Sequence, residues 1–470
     1  MIKRILQNNI LLSTSSFLSL LVNIFSIPII SRIYTPDDIG IFSSMQIISM
    51  IFIPLIGLRM EIIFGQNINN DTLKSLFTTI ILSGFIMSAF LFSALLMSTF
   101  MNQKFLFLDY IVFILFMTHL IIYFEFGLGL LNRLQMYKFI AYFTFFNILF
   151  QRLLQIGLGT LMEEKINAIF ISYCLSSFFL VITMYIIIKK NSSFFNISTF
   201  NFNVFKNYYS HIFYRTSYTL ANLFKDRFLL LIIITLFSSS QAGLYGQAFT
   251  ILSIPVVIFS YPLKTIITRE FVKNKSEVVK IIMIIYDLLI RTILPLYIFL
   301  YFHSSFIFPT LLGSEWSQIS DIIKIMLTPM FILIFSSSLD RLYDVLSLQK
   351  WALIFELFFG ALAFLTFLVL TINDYDFLFT MKINSAVLSV FFITYLIFIL
   401  SKAILIKPFL RIMINACSQL TICFTIFYIF KNQFYISLAI LLLIIFIGVI
   451  FIFNRIYKIL DQKFSNAPKT

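Results

Sequence analysis

Residues 166–190 read INAIFISYCLSSFFLVITMYIIIKK, a run free of charged side chains until it is closed by Lys189 and Lys190. A helix needs about 20 predominantly apolar residues to cross the hydrocarbon core of a bilayer. This run is too long for a strand and too uniformly apolar for a helix wetted on one face, so it predicts a membrane-spanning α-helix. The paired lysines mark its cytoplasmic end, because short cytoplasmic loops carry the excess of Lys and Arg. Working outward in both directions, runs of the same kind predict spans near 10–33, 40–64, 75–99, 108–131 and 139–161 before it. After it they fall near 211–236, 241–266, 279–301, 319–346, 351–371, 377–400, 408–430 and 434–455. The expected fold class is therefore an all-α integral membrane protein of about fourteen transmembrane helices, with no separate soluble domain.

Composition agrees. Of the 470 residues, 60% are hydrophobic and 11% charged, where a soluble chain carries roughly 25% charged residues. The net charge of +14 does not indicate nucleic acid. The basic residues fall on one side of the span map: Lys3, Arg4, Lys74, Arg133, Lys138, Lys189, Lys190, Lys206, Arg269 and Lys273 among others lie inside. Only Arg32, Lys104, Lys165, Lys382 and Lys431 lie outside, with the acidic clusters Asp37-Asp38 and Glu163-Glu164. Both termini are expected in the cytoplasm. The apolar run after Met1-Ile2-Lys3-Arg4 exceeds a signal-peptide core and is expected to be retained as the first span. Cys174, Cys417 and Cys423 sit within apolar runs, with neither metal-ligand spacing nor a disulfide framework; no metal and no cofactor is expected. The connections are short, the longest polar one being about 189–210. That leaves no room for the sizeable extramembrane loop an enzyme of the outer face would need, so no catalytic residues are assigned.

An approximate internal repeat crosses that connection. Tyr34-Thr35-Pro36-Asp37-Asp38-Ile39-Gly40-Ile41-Phe42 is followed by Pro54, and Phe237-Ser238-Ser239-Ser240-Gln241-Ala242-Gly243-Leu244-Tyr245 by Pro255. Each segment joins the first two helices of its half. Parallel repeats related by an axis along the membrane normal are a common transporter plan, with the substrate between the halves. The expected organisation is a six-helix lobe over 1–190, a cytoplasmic linker over 191–210, a second six-helix lobe over 211–400, and two additional helices with a tail over 401–470.

Ionisable groups inside spans are costly and mark pathways or internal pairs. They are Arg59, Glu61, Glu125, Arg152, Arg215, Lys225, Asp226, Arg227, Asp287, Arg291, Asp321, Lys324, Asp340, Arg341, Asp344 and Glu356. On the seventh expected span, Arg215, Thr219, Asn222 and Asp226 share one helical face; on the first, Ser16, Ser19, Asn23 and Ser26 do. Two such faces turned toward each other would line a hydrated cavity. Competing assignments stand beside these. Arg59, Arg215 and Arg341 are within snorkelling reach of the inner interface. Asp287 and Arg291, at i and i+4, read as a structural pair. Asp340, Arg341 and Asp344 could serve only to cap a turn. An excess of Arg and Lys in a cavity suits a phosphate-bearing anion, which Arg grips through its planar fork.

Three segments together resemble the polysaccharide (lipid-linked oligosaccharide) flippases of the multidrug/oligosaccharidyl-lipid/polysaccharide exporter superfamily. They are Ser31-Arg32-Ile33-Tyr34-Thr35-Pro36-Asp37-Asp38-Ile39-Gly40 continuing to Leu58-Arg59-Met60-Glu61; Ala242-Gly243-Leu244-Tyr245 through Pro255; and Leu312-Gly313-Ser314-Glu315-Trp316 with Pro329 and Asp340-Arg341-Leu342-Tyr343-Asp344. The chain departs from the family in having few glycines and many Ile and Phe. The resemblance implies two V-shaped lobes working by alternating access in the bacterial inner membrane. Its cargo would be undecaprenyl-diphosphate-linked repeat units for O-antigen or capsule, with polysaccharide polymerases as partners. On that reading Arg59, Arg215 and Arg341, with Lys225 and Arg227 deeper, receive the diphosphate. Glu61, Asp226 and Asp340 position an arginine or bind a coupling proton or sodium ion, and Ser16, Ser19, Asn23, Thr219 and Asn222 line the cavity. A lipid II flippase is the nearest alternative. A cation-coupled multidrug exporter is disfavoured by the basic cavity.

Overall fold

The structure, a computed structural model, describes residues 2–57, 110–191, 229–260 and 275–465 almost continuously, with single residues such as Ser75, Thr78, Gly84 and Thr219 between them. Among the described residues the regular structure is helical throughout. In chain order the helices are α1 (Ile2–Ile33), α2 (Pro36–Gly57), α3 (Ile111–Arg133), α4 (Tyr137–Leu161) and α5 (Lys165–Asn191). Then come α6 (Ser239–Pro255), which continues into a π-helical turn over Val256–Ser260, and α7 (Lys275–Leu312). A short 3-10 turn over Ser314–Trp316 leads to α8 (Ile319–Ser338), α9 (Asp340–Val345), α10 (Gln349–Ile372), α11 (Phe377–Lys402), α12 (Ile406–Ile429) and α13 (Phe434–Ser465).

Twelve helical segments among the described residues are long and apolar enough to cross a membrane. They coincide with twelve of the expected spans. The other two, 75–99 and 211–236, lie largely outside the described residues, although Ser75, Thr78, Phe85, Thr219 and 229–236 are helical. The radial pattern is that of a chain solvated by lipid. Large apolar side chains such as Phe25, Val112, Ile414 and Phe446 are turned outward, while Ser44, Ser49, Thr118, Ser172 and Thr380 are buried. Small hydroxyl side chains let helices approach closely and satisfy themselves on nearby carbonyls. Thr118 donates to the Ile114 carbonyl at 2.6 Å, and Ser49 reaches the same carbonyl from α2 at 3.3 Å.

The chain forms two compact units, residues 1–246 and 247–470. In the first, α4 packs along α1 and α5, and α3 fills the space between α2 and α5. Tyr34, at the end of α1, is buried and its hydroxyl donates to the Gln155 carbonyl of α4 at 2.6 Å. Gly159 makes room for that ring, because a Cβ there would lie 2.3 Å from the Tyr34 oxygen. Lys165 closes the end of α4 by donating to the carbonyls of Gly159 and Met162 at 2.7 and 2.9 Å.

In the second unit α7 is the central strut, packed against α8, α12 and α13. Asp287 and Arg291 form the pair their spacing suggested, 3.2 Å apart. The guanidinium lies 4.2 Å from the centre of the Phe451 ring of α13, the Arg291 backbone and Cβ lie against Gly448, and Gln419 of α12 reaches the Arg291 carbonyl at 3.5 Å. One residue of α7 thus seats both C-terminal helices. Gly313, at φ 108°, turns the chain out of α7 in a conformation that favours glycine, and sets Trp316 fully inside.

Gly159→Ala is expected to lower stability by about 1–3 kcal/mol through overpacking against Tyr34. Gly157→Ala, whose Cβ would meet nothing within 4 Å, is expected to be neutral or slightly stabilising. Thermal unfolding of the detergent-solubilised variants checks both.

Candidate functional site

The two turns singled out in the sequence are built alike. At the start of α2, Thr35 and Asp38 cap each other: the Thr35 amide and hydroxyl donate to the Asp38 carboxylate at 3.0 and 2.9 Å, and the Asp38 amide donates to the Thr35 hydroxyl at 3.3 Å. At the start of α6, Ser238 accepts from the Gln241 amide at 3.2 Å. A hydroxyl that accepts from an amide three residues on satisfies one of the open donors of a helix start. Pro36 occupies the first helical position, where its missing N–H costs nothing.

These turns also touch. A Cβ on Gly40 would fall 1.9 Å from the Ser239 carbonyl oxygen, and one on Gly243 would fall 1.8 Å from that of Pro36. Each glycine therefore lies directly against the backbone of the other turn, in a reciprocal arrangement. The Ser239 hydroxyl adds a hydrogen bond to the Asp37 carboxylate. Behind this contact Tyr34 is enclosed; burial, with the Asp38 carboxylate adding to it, pushes its phenol up to about 12.

Deeper in the first unit, the polar face of α1 is turned to its neighbours. Ser19 is buried and donates to the Ser15 carbonyl at 2.8 Å. Asn23 accepts from Arg152 Nε at 2.9 Å. Ser16 is exposed and bonds back to the Leu12 carbonyl. Thr219 is helical and half-buried.

In the second unit Asp340, half-buried at the start of α9, is hydrogen-bonded by Tyr395 of α11. The Tyr395 carbonyl in turn accepts from the Tyr343 hydroxyl at 2.9 Å, and the two rings stack 4.4 Å apart. Arg341 is exposed beside them. Lys324 is held by Ser305 at 2.8 Å and Asp321 at 3.4 Å. Arg59, Glu61, Arg215, Asn222, Lys225, Asp226 and Arg227 lie outside the described residues. No cluster of His, Cys, Asp and Glu suited to a metal ion occurs among the described residues.

Sequence reasoning did not find the reciprocal glycine contact or the Arg152–Asn23 pair. The first had a signal in the matching positions of Gly40 and Gly243, each five residues after its capping hydroxyl. The second had none, because α1 and α4 are far apart in sequence.

The two matched helix starts thus meet back to back within a polytopic helical membrane protein. A sequence profile of the polysaccharide biosynthesis protein family matches residues 29–321, well over half the chain, so the chain belongs to that family. Its fold is similar to that of the lipid II flippase MurJ in an inward closed conformation: TM-score 0.69 at 13% identity, covering 95% of this chain and 100% of that one. It is also similar to an inward-facing multidrug resistance transporter of the MATE family and MOP superfamily, with TM-score 0.61 at 12% identity over 83% of this chain and 96% of the other. No curated protein sequence matches the chain. Both of these solved proteins are transporters, and the likeness is one of fold.

The double variant Asp37→Cys/Ser239→Cys is expected to form a disulfide readily under mild oxidation. Adding Gly40→Ala or Gly243→Ala, which places a methyl against unyielding backbone, is expected to reduce the cross-linked fraction severalfold on a non-reducing gel.

Proposed function

We propose that the protein is a flippase that carries undecaprenyl-diphosphate-linked oligosaccharide repeat units across the bacterial inner membrane, for assembly of O-antigen or capsular polysaccharide. The observation that carries this reading is the family match to polysaccharide biosynthesis proteins over residues 29–321 on a fold similar to that of a lipid II flippase. That second likeness favours lipid II itself as the next reading, and a cation-coupled multidrug exporter comes third. In the proposed architecture about fourteen spans form two six-helix lobes, 1–190 and 211–400. They are joined by a linker over 191–210 and followed by two helices and a tail over 401–470, with both termini cytoplasmic.

In this mechanism the diphosphate is received by Arg59, Arg215 and Arg341, with Lys225 and Arg227 deeper. The polyprenyl tail stays in the bilayer while the glycan passes between the lobes. The Gly40–Gly243 contact is the closure on the outer side, and its parting releases the glycan there. Moving net negative charge outward is favoured by about 2.3 kcal/mol per charge per 100 mV of membrane potential. If the cationic side chains travel with the diphosphate, that driving force shrinks, and proton or sodium coupling through Glu61, Asp226 or Asp340 takes its place. A polysaccharide polymerase would consume the delivered units.

Deletion of the gene in its own host tests this. Loss of surface polysaccharide, with diphosphate-linked repeat units accumulating on the cytoplasmic leaflet, is the expected outcome. Arrested peptidoglycan synthesis would transfer the assignment to lipid II, and unchanged glycan with new drug sensitivity would transfer it to drug export.

A further inference from the structure

Arg152 lies within α4, nine residues before Leu161, or roughly 14 Å from that end at 1.5 Å per residue. It is too deep for its head to reach the interface there, and its head is held in place. Nε donates to Asn23 of α1 at 2.9 Å and Nη1 donates to Gln155 Oε1 at 2.8 Å. Both acceptors are neutral amides, and no carboxylate pairs with Arg152 among the described residues. Gln155 is buried, and the carbonyl of the same residue is tied down by Tyr34. Asn23 is fixed by the packing of α1 along α4. Arg152 as a whole residue is half-buried. Of its five N–H donors, two are used, and the Nη2 group has no partner among the described residues.

An isolated cation in a low-dielectric interior carries a large desolvation cost, which two amide oxygens offset only in part. A residue serving only to clip two helices together would do so more cheaply as a neutral side chain. What Arg152 has in addition is a held guanidinium with donors free on its outer edge. That is the geometry by which arginine takes two oxygens of one phosphate.

We propose that Arg152, oriented by Asn23 and Gln155, is an anion-binding site inside the membrane for the phosphate group of a phosphate-bearing lipid. This rests on the flippase reading insofar as that lipid is the undecaprenyl diphosphate carrier, for which Arg152 would be a station between the two leaflets. A phospholipid headgroup offers the same chemistry. Arg152 is not among the residues assigned to the diphosphate above.

The test uses the full-length protein in nanodiscs with two probes, undecaprenyl diphosphate and phosphatidylglycerol, and variants Arg152→Gln and Arg152→Lys. Gln keeps a hydrogen-bonding partner for Asn23 and removes the charge; Lys keeps the charge and removes the fork. Expected is at least a tenfold loss of undecaprenyl diphosphate affinity in Arg152→Gln and a smaller loss in Arg152→Lys, with ligand-free thermal midpoints close to wild type. Unchanged affinity in Arg152→Gln overturns the proposal, as does a loss in both variants that only follows a fall in the ligand-free midpoint. Should Arg152→Gln not fold, wild-type protein answers the question: phenylglyoxal modification at Arg152, read by peptide mass spectrometry, is expected to be suppressed by the bound lipid. An unreactive or unprotected Arg152 again overturns the site. If wild type ignores undecaprenyl diphosphate but binds phosphatidylglycerol in an Arg152-dependent way, the anion site stands and the flippase reading falls.

Discussion

Inside a bilayer no water is available to a stranded N–H or C=O, and every backbone polar group must be satisfied by the chain itself. The described structure follows from that constraint at each level. Regular structure is helical because a helix closes its bonds within one segment. Serine and threonine hydroxyls donate to carbonyls three or four residues back, as in Ser44 to Gly40 and Thr144 to Ile140. Helix starts, where donors are left open, are capped by Thr35, Asp38 and Ser238, and Lys165 covers carbonyls at the end of α4. Where α6 reaches Pro255, the bonding pattern slips into a π turn, and Ser260 at its end donates across to the Ile334 carbonyl of α8 at 2.9 Å.

The same constraint explains what could be read from the chain before its fold was known. Span positions were legible, because lipid demands a length of apolar sequence and the chain supplies it without interruption at 166–188 and its counterparts. The matched turns were legible because each opens a helix with glycine, an aliphatic residue and an aromatic, Gly40-Ile41-Phe42 and Gly243-Leu244-Tyr245. Their contact was not, because it is made by backbone atoms about two hundred positions apart, and the matching glycines mark the two positions without saying that they meet. Polar groups were the hardest to place. Asn23 shares a face with Ser16 and was expected to line a cavity, and the partner it takes is Arg152 on α4. A helical periodicity says which residues face together but not which neighbour they face. Asp287 and Arg291 were simpler, since both partners are on one helix; what the sequence could not show is that Arg291 also carries Phe451 and the two last helices.

The paired turns have a mechanical consequence. A surface formed by side chains loses rotamer freedom each time it closes. Gly40 and Gly243 have no rotamers to lose, and the atoms that meet are carbonyls and amides already fixed by their own helices. Their meeting therefore adds little adhesion and little entropic resistance. It acts as a hard stop: it defines a single distance and a single register of approach, and leaves the strength of holding to polar links such as that between Asp37 and Ser239.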